Sequence, residues 1–278
     1  MTTYCRGIPF CSWAQCPVGY DKWGVIKMDL FRLDGKVAIV TGGNRGLGSA
    51  IAYGLAQAGA DVAIIQRSQC ESETARKIRE LGRKCETFYY DLAEMNSLHK
   101  IVEDVIGTFG KIDILVNNAG VQRRAPVVEF SEQDWDYVLQ VNAKSVFFLC
   151  QEVGREMLKQ GSGKIINIAS LLSFQGGYTV PAYAASKGAV AQFTKSLSNE
   201  WACKGINVNA VAPGYIATDM NTALINDQTR NEQILQRIPA GRWGKPEDIV
   251  GAVIFLASPA SDYVNGEIIT VDGGWMGR

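Results

Sequence analysis

The stretch Gly35-Lys-Val-Ala-Ile-Val-Thr-Gly-Gly-Asn-Arg-Gly-Leu-Gly48 decides the fold. Its first half is a β-branched apolar run after a glycine, which predicts a short buried strand. Its second half is rich in glycine, and a helical pattern begins at Ser49. A strand, a glycine-rich turn and a helix can hold a pyrophosphate, because glycines allow close backbone approach and the helix N-terminus attracts the anion. A tight strand–helix connection without a ligand is the alternative.

The glycine spacing narrows the choice of nucleotide. Gly42, Gly46 and Gly48 form a Gly-x-x-x-Gly-x-Gly pattern, and no Gly-Lys-Ser or Gly-Lys-Thr follows it. An ATP-binding P-loop needs that lysine and hydroxyl. The pattern therefore favours a dinucleotide site.

The rest of the chain repeats the same unit. Strands that alternate with helices predict one α/β domain of Rossmann type, with a doubly wound, seven-stranded parallel sheet and helices on both faces. Uninterrupted apolar strands indicate burial on both faces of the sheet. After the first strand, the predicted strands are 61–66, 85–90, 112–116, 164–169, 206–211 and 267–271, and the longer helices are 71–82, 97–109, 132–160, 183–203 and 246–256.

Composition excludes several classes of function. The 278 residues are 47% hydrophobic and carry a formal net charge of zero, so no electrostatic footprint for nucleic acid is present. No run approaches the ~18 apolar residues of a membrane span. The seven cysteines are scattered and odd in number, which predicts reduced thiols in a cytoplasmic protein.

The first 27 residues differ from the rest of the chain. They lack helical or strand periodicity and the apolar core of a secretory signal, so we expect residues 1–27 to be a disordered extension before a domain at 28–278. An alternative start near Met28 and a targeting remnant are the other interpretations. Cys5, Cys11 and Cys16 would need a fourth metal ligand, and the only histidine, His99, lies in a helical pattern. We therefore expect no metal site.

Tyr183 and Lys187 lie four residues apart in Pro181-Ala-Tyr-Ala-Ala-Ser-Lys187. On a helix, that spacing places both side chains on one face. A nearby cation lowers the pKa of a phenol, and general acid–base catalysis works best with a pKa near the working pH. A solvated helix face is the alternative for the pair taken alone.

Several motifs together resemble the short-chain dehydrogenase/reductase family. They are Thr41–Gly48, Asn117-Asn-Ala-Gly120, Asn142, Ser170, Tyr183-x-x-x-Lys187 and Pro213-Gly214, in the family's order and spacing. The resemblance extends from Leu33 to the C-terminus. Stretches such as Arg237-Ile-Pro-Ala-Gly-Arg-Trp-Gly244 are similar to 2-deoxy-D-gluconate 3-dehydrogenases, which also reduce 5-keto-4-deoxyuronate.

The resemblance implies a role for each catalytic residue. Tyr183 would be the general acid in ketone reduction and the base in alcohol oxidation. Lys187 would lower the pKa of Tyr183 and hold the nicotinamide ribose. Ser170 would donate a hydrogen bond to the substrate oxygen, and Asn142 would hold a water of the proton relay behind Lys187.

The resemblance also implies the cofactor contacts. Asn118 would support the centre of the sheet, Asp91 would accept from the adenine amino group, and Thr218 would contact the nicotinamide carboxamide with the backbone near Pro213 and Gly214. The full set is Gly42, Asn44, Arg45, Gly46, Leu47, Gly48, Gln66, Arg67, Asp91, Leu92, Asn118, Ala119, Gly120, Tyr183, Lys187, Pro213, Gly214, Ile216 and Thr218.

One position departs from the NAD pattern. An acidic residue about 20 positions after the glycines usually binds the ribose 2′-hydroxyl of NAD. Here that position is Gln66, and Arg67 follows it. Arg67 and Arg45 can pair with the 2′-phosphate of NADP, so the sequence favours NADP(H), with NAD(H) as the alternative. Solvated surface charges are the other interpretation of both arginines.

The remaining expectations concern substrate and assembly. Arg123 and Arg124 follow the Asn117–Gly120 motif, where they can clamp a carboxylate, and Gln175 can bind hydroxyls; exposed loop charges are the alternative for the arginines. We therefore expect an oxidoreductase acting on a secondary alcohol or ketone of a sugar acid or polyol. A reductase of a hydrophobic ketone is the alternative, and a non-catalytic nucleotide-binding protein is disfavoured by the intact catalytic residues. The family resemblance implies a homotetramer, in which helices 132–160 and 183–203 form one interface and the segment around Trp275 another.

Overall fold

The computed structural model describes residues 28–278. The expectations for residues 1–27, including those for Cys5, Cys11 and Cys16, lie outside the described residues. A short 3-10 turn, Met28–Phe31, opens the described part of the chain. The residues from Phe31 to Arg278 form one compact unit.

A seven-stranded sheet is the centre of this unit, and all its strand pairs are parallel. The strand order is β3-β2-β1-β4-β5-β6-β7. The chain reverses its winding direction between β1 and β4, and the carboxyl ends of those strands border a crevice where ligands bind in such sheets. The strands are β1 Val37–Thr41, β2 Asp61–Gln66, β3 Cys85–Tyr89, β4 Ile114–Asn117, β5 Gly163–Ile168, β6 Ile206–Pro213 and β7 Ile268–Val271.

Helices cover both faces of the sheet. Their starts follow local signals: the Ser72 hydroxyl accepts a hydrogen bond from the Ala75 amide at the start of α2, and Pro181 is the first residue of α6. The helices are α1 Gly46–Gln57, α2 Glu73–Glu80, α3 Ser97–Phe109, α4 Glu132–Leu139, α5 Ser145–Gln160, α6 Pro181–Trp201, α7 Thr222–Asn226, α8 Gln228–Arg237 and α9 Val250–Ala257.

Two apolar layers form the core, one on each face of the sheet. Ala38 and Val40 of β1 pack with α1 and α9, whereas Ile39 packs on the opposite face with α3, α5 and α6. All five residues of β1 are buried. Burial on both faces explains why the strand is a continuous apolar run without alternation.

The predicted fold is confirmed, and two regions differ from the expected elements. The long helix expected at 132–160 is divided into α4 and α5 by a π-helical segment, Gln140–Lys144. Helices α7 and α8 were not expected, because they are polar and short, and α8 buries only Ile234. Both differences lie beside the carboxyl edge of the sheet, where tertiary contacts dominate over periodicity.

Within residues 28–278, none of the helices has the length and apolar character that a membrane crossing needs. The same residues contain no cluster of three or more His, Cys, Asp or Glu side chains that could hold a metal ion.

Candidate active site

A cavity of about 1230 Å³ opens at the carboxyl edge of the sheet. Its lining includes every residue expected to bind cofactor or substrate, together with Ser170, Tyr183 and Lys187. Asn142 is the one expected site residue that does not line it. Residues scattered from position 42 to position 218 therefore converge on one space.

The glycine-rich turn fits a dinucleotide pyrophosphate. A Cβ atom on Gly48 would lie 2.1 Å from the carbonyl oxygen of Gly42, so no other residue fits there without a backbone shift. Gly42 and Gly46 have φ angles of +65° and +53°, in the left-handed region that favours glycine. The first atom that a Cβ on Gly46 would meet is a methyl of Thr218, 3.9 Å away. The turn thus leaves open space at the N-terminus of α1, where an anion is favoured.

Asn118 joins the two strands that border the crevice. Its side-chain amide donates to the Thr41 carbonyl oxygen at 2.9 Å, and the Thr41 hydroxyl accepts from the backbone amides of Asn118 and Ala119 at 3.0 Å each. These bonds hold the end of β4 against the glycine-rich turn. The position agrees with the supporting role expected for Asn118.

Ser170 follows β5 and begins a 3-10 turn, Leu171–Ser173. Its Oγ atom accepts from the Leu172 amide at 3.1 Å, which leaves the hydroxyl proton free to be donated. The Ser173 hydroxyl donates to the carbonyl oxygen of Lys187 at 2.7 Å and accepts from the Ser170 amide at 3.3 Å. The turn is therefore fastened to α6, and the side chains of Ser170 and Tyr183 line the same cavity.

The pKa of Tyr183 is shifted in the direction opposite to the expected one. Burial raises the pKa of Tyr183 above 10, and the hydrogen bond with Ser170 opposes that rise. Lys187 does not lower it here, because its ammonium donates to the Ile168 carbonyl oxygen at 2.6 Å and lies 5.7 Å from the centre of the Tyr183 ring. Burial also lowers the pKa of Lys187, to about 8.

The side chain of Asn142 links the loop after β4 to α6. Its Oδ1 atom accepts from the Val121 amide at 2.8 Å, and its Nδ2 atom donates to the Val121 carbonyl at 2.8 Å and to the Ser186 hydroxyl at 3.2 Å. These three bonds use both N–H groups of the amide and leave one lone pair of Oδ1 for a further partner. Asn142 fixes the loop after β4 to α6, and it lies in the π-helical segment Gln140–Lys144.

A chain of buried polar side chains beneath the site was not predicted from the sequence. Asn117 of β4 donates to Asn167 of β5 at 2.9 Å, and Asn167 donates to Thr194 of α6 at 2.9 Å. Buried amides need such partners. Because Thr194 lies two turns after Lys187, these bonds set the position of α6 on the sheet and so the position of its catalytic pair.

The residues expected at the ribose end occupy two environments. Gln66 is 4% exposed, and its Nε2 atom donates to the carbonyl oxygens of Ser68 and Cys70 at 2.7 and 2.8 Å. It therefore shapes the loop after β2, while its Oε1 atom has no hydrogen-bond partner among the described residues. Arg67 is largely exposed and lies 3.9 Å from Asp91.

Two further groups complete the environment of this end. Arg45 is largely exposed and lies 3.8 Å from Asp219. The other Asp91 oxygen accepts from the Ala93 amide at 2.9 Å. The carboxyl group of Asp91 is thus held at the cavity wall, with two cations, Arg67 and Arg45, at the same end of the cavity.

The three residues expected at the substrate end also have different partners. Arg123 pairs with Asp134 at 3.0 Å and stacks on Tyr137. Arg124 donates to the Tyr178 carbonyl and the Thr179 hydroxyl at 3.1 Å each. Gln175 accepts a long hydrogen bond, 3.4 Å, from Arg237.

Helix α8 supplies residues that periodicity alone did not identify. Arg230 and Arg237 line the cavity, and so do Tyr215 and the C-terminal Trp275. Tyr215 packs against Trp275 with ring centroids 4.6 Å apart. Two arginines seven residues apart lie on one face of a helix, which is the signal that points to them in the sequence.

Comparison with known proteins agrees with this geometry. The family model described as Enoyl-(Acyl carrier protein) reductase matches residues 42–276. A 2-dehydro-3-deoxy-D-gluconate 5-dehydrogenase from Dickeya dadantii is 52% identical over 252 residues, which are 90% of this chain and 99% of the relative.

Two solved structures share the fold. One, from Agrobacterium tumefaciens, is described as a candidate 2-deoxy-D-gluconate 3-dehydrogenase with bound NADP; it is 53% identical, has a TM-score of 0.84, and the match covers 90% of this chain and 99% of that one. The other is a gluconate 5-dehydrogenase from Burkholderia cenocepacia in complex with NADP and tartrate, with 45% identity, a TM-score of 0.87, and 90% and 98% coverage. The resemblance inferred from the motifs is confirmed: the chain belongs to the short-chain dehydrogenase/reductase family of oxidoreductases.

Proposed function

We propose that this protein is an NADP(H)-dependent oxidoreductase that interconverts a secondary alcohol and a ketone in a sugar acid. The observation that carries the proposal is the shared cavity, which joins the glycine-rich turn to the side chains of Ser170 and Tyr183. The sugar-acid dehydrogenases at 52% and 45% identity support the substrate class.

The glycine-rich turn, Lys187 and Thr218 would hold the dinucleotide, which would supply the hydride in ketone reduction. The Tyr183 phenol donates its proton to the carbonyl oxygen, and the raised pKa keeps that proton on the phenol until the oxygen becomes basic. The Ser170 hydroxyl donates a hydrogen bond to the same oxygen and stabilises its developing negative charge. In alcohol oxidation, the Tyr183 oxygen accepts the alcohol proton.

Lys187 and Asn142 have supporting roles in this proposal. The Lys187 ammonium is fixed by the Ile168 carbonyl and presents its other protons toward the cavity that the nicotinamide ribose would enter. Asn142 positions the loop after β4 and the start of α6 through Val121 and Ser186. It acts through these residues and not on the substrate.

The preference for NADP(H) rests on the ribose end of the cavity. Gln66 stands at the position where an acidic residue usually binds the ribose of NAD. The guanidinium groups of Arg67 and Arg45 are both largely exposed. A phosphate is favoured between guanidinium groups. The relatives with bound NADP from Agrobacterium tumefaciens and Burkholderia cenocepacia support this preference, with NAD(H) as the alternative cofactor.

A hydrophobic ketone fits this cavity less well. Arg124, Arg230 and Arg237 line the cavity and have no carboxylate within 4.0 Å among residues 28–278, and burying an apolar substrate against such cations is unfavourable. A protein that only binds a nucleotide would not need Ser170 and Tyr183 together in the cavity.

Assembly, location and domain division also belong to the proposal. Phe148 and Leu158 of α5 are both 36% exposed, which supports the interface of a homotetramer. Cys70, Cys85, Cys150 and Cys203 are free thiols, which supports a cytoplasmic location. We retain the division into an extension at 1–27 and a catalytic domain at 28–278.

A substrate panel with both cofactors tests the function. Reduction of 5-keto-D-gluconate and of related keto acids is followed through NADPH and NADH consumption, with a steroid ketone and an acyl thioester ketone as comparison substrates. Turnover of a keto sugar acid with NADPH is the expected result. Turnover restricted to the apolar ketones would contradict the proposed substrate class.

A further inference from the structure

The arginines that line the cavity fall into two groups. Three of them lie within 4.0 Å of a carboxylate: Arg45 near Asp219, Arg67 near Asp91 and Arg123 near Asp134. The other three, Arg124, Arg230 and Arg237, have no carboxylate within that distance among residues 28–278. We refer to these three as the carboxylate-free arginines.

Arg237 is the most firmly oriented of the three. Its guanidinium lies 4.1 Å from the ring centre of Trp275, which is itself 5% exposed. Its Nη2 atom makes only the 3.4 Å bond to Gln175. Stacking occupies the flat face of a guanidinium and leaves the donors on its edge for a ligand. Most of the five N–H donors of Arg237 are therefore available.

Arg230 and Arg124 approach the same end from two other elements. Arg230 lies two turns before Arg237 on α8 and is 5.9 Å from the Tyr178 ring. Arg124 follows β4 and donates to Tyr178 and Thr179. Thr179 has a φ angle of +61°, an outlier for a β-branched residue. Tyr178, which precedes this turn, is thus near both arginines, through its carbonyl oxygen and through its ring.

All three arginines influence the pKa of Tyr215. Burial is the main influence on its pKa and raises it, while Arg230, Arg237 and Arg124 all lower it. No carboxylate opposes the three charges, because the cavity's only carboxylates among the described lining residues are Asp91 and Asp219, each beside an arginine at the cofactor end. Three neighbouring cations without a counter-charge repel one another, and an anion bound among them relieves that repulsion.

We propose that the carboxylate-free arginines form the subsite for the substrate carboxylate, with Arg237 as its principal ligand and Arg230 as the second. The inference rests on the proposed function and makes it specific, because it assigns substrate selection to α8 and to the C-terminal Trp275. The carboxylate is held at α8 while the reacting carbon faces Tyr183 and Ser170. An uncharged sugar of the same shape fills the same space without neutralising the arginines.

A matched substrate pair tests this subsite. L-sorbose is 5-keto-D-gluconate with the carboxylate replaced by a hydroxymethyl group, so the two ketones differ only at the proposed anchor. The variants are Arg237→Met and Arg230→Met, with Arg76→Met as control, since Arg76 is exposed on α2 and pairs with Glu80. We expect Arg237→Met to lower kcat/KM for 5-keto-D-gluconate about 10- to 100-fold, as for loss of a charge-assisted hydrogen bond.

The test depends on the difference between the effects of Arg237→Met on the two ketones. With L-sorbose, Arg237→Met should change kcat/KM by less than about threefold, and the Kd for NADPH should be unchanged in every variant. An equal loss with both ketones, or no loss with 5-keto-D-gluconate, overturns the subsite. Arg237→Lys, which retains the charge, should recover part of the selectivity and serves if Arg237→Met has a lowered melting temperature.

A binding measurement separates this inference from the proposed function. Calorimetric titration of D-gluconate into the NADPH-bound protein requires no turnover, because D-gluconate and NADPH are both reduced and cannot react with each other. If the unmodified protein reduces no keto acid, the proposed function fails. The subsite is still supported if D-gluconate binds and Arg237→Met weakens that binding tenfold or more, and it is overturned if D-gluconate does not bind or binds equally well to both proteins.

Discussion

Lys187 Nζ donates a hydrogen bond to the carbonyl oxygen of Ile168, the last residue of β5, at a distance of 2.6 Å. This bond ties the catalytic helix α6 to the central sheet at the height of Ser170. It also explains how an ammonium that is 4% exposed is tolerated, because a buried donor needs an acceptor. The remaining cost of burial lowers the pKa of Lys187 to about 8.

The pKa values of Lys187 and Tyr183 together predict different pH dependences for the two reaction directions. Lys187 loses its charge as the pH rises through about 8, whereas the pKa of Tyr183 lies above its ordinary value. Ketone reduction needs the phenol and the ammonium, so kcat/KM should be level at lower pH and fall above about pH 8. Alcohol oxidation needs the Tyr183 oxygen as a base, so its rate should rise with pH until Lys187, which would hold the ribose in both directions, loses its charge near pH 8. Profiles of both directions from pH 6 to 10 check this, and a reduction rate that increases between pH 7 and 9 would contradict it.

Tyr183→Phe should abolish most turnover without weakening NADPH binding. Only the hydroxyl is removed, and loss of one general acid–base group costs ~10²–10⁴ in rate. The control is Tyr263→Phe, because Tyr263 is fully exposed. Steady-state kinetics give the rate and NADPH fluorescence gives the affinity; activity of Tyr183→Phe within a few-fold of the control would remove Tyr183 from its proposed role.

Arg67→Met should reduce the preference for NADPH. The change removes the cation beside the proposed 2′-phosphate position, so kcat/KM for NADPH should fall about tenfold or more while that for NADH changes little. A Gln66→Asp change is a poorer test than the sequence suggests, because it would remove the two bonds that Gln66 donates to Ser68 and Cys70. If the unmodified protein prefers NADH tenfold, Arg45 and Arg67 are surface charges only.

Two glycine-to-alanine changes should have opposite effects. In Gly48→Ala the new Cβ meets the Gly42 carbonyl at 2.1 Å, so we expect a loss of about 1–3 kcal/mol in the free energy of unfolding and weaker NADPH binding. Gly107, exposed on α3, has nothing within 4 Å of a new Cβ, and Gly107→Ala should stabilise by about 0.5–1 kcal/mol. Urea denaturation measures both; equal stability of the two variants would contradict the close approach in the turn.

Removal of residues 1–27 should leave activity and melting temperature unchanged. The family match begins at residue 42, and the buried core of the described residues begins at Leu33. Calorimetry of the full-length and 28–278 proteins compares the two, and a fall of several degrees in the melting temperature on truncation would show that the extension contributes to folding.

The apolar strands were predictable because burial on both faces requires a continuous apolar run. The run at β1 and the glycines after it place the cofactor end of the cavity without any tertiary information. The same holds for Tyr183 and Lys187, whose spacing is a local property of α6.

The rest of the site depends on contacts between distant segments. Nothing near Asn142 in the sequence indicates that its amide pairs with Val121, and nothing near Gln66 indicates that its side chain turns inward. The direction of the Tyr183 pKa shift was also not predicted from the sequence. Burial raises this pKa, and the ammonium of Lys187 donates to the carbonyl oxygen of Ile168. The orientation of Arg237 depends on Trp275, 38 positions later, because the guanidinium stacks on the Trp275 ring.

The distribution of arginines has a kinetic consequence. Among residues 28–278, six arginines and Lys187 line the cavity against two carboxylates, in a chain whose formal charge is zero. Field lines from such a recess extend into solvent and guide anions toward it, and both proposed reactants are anions. Added salt shortens the reach of this field to ~8 Å at 0.15 M ionic strength. The capture of nucleotide and sugar acid should therefore slow with rising salt, even where the chemical step is unaffected.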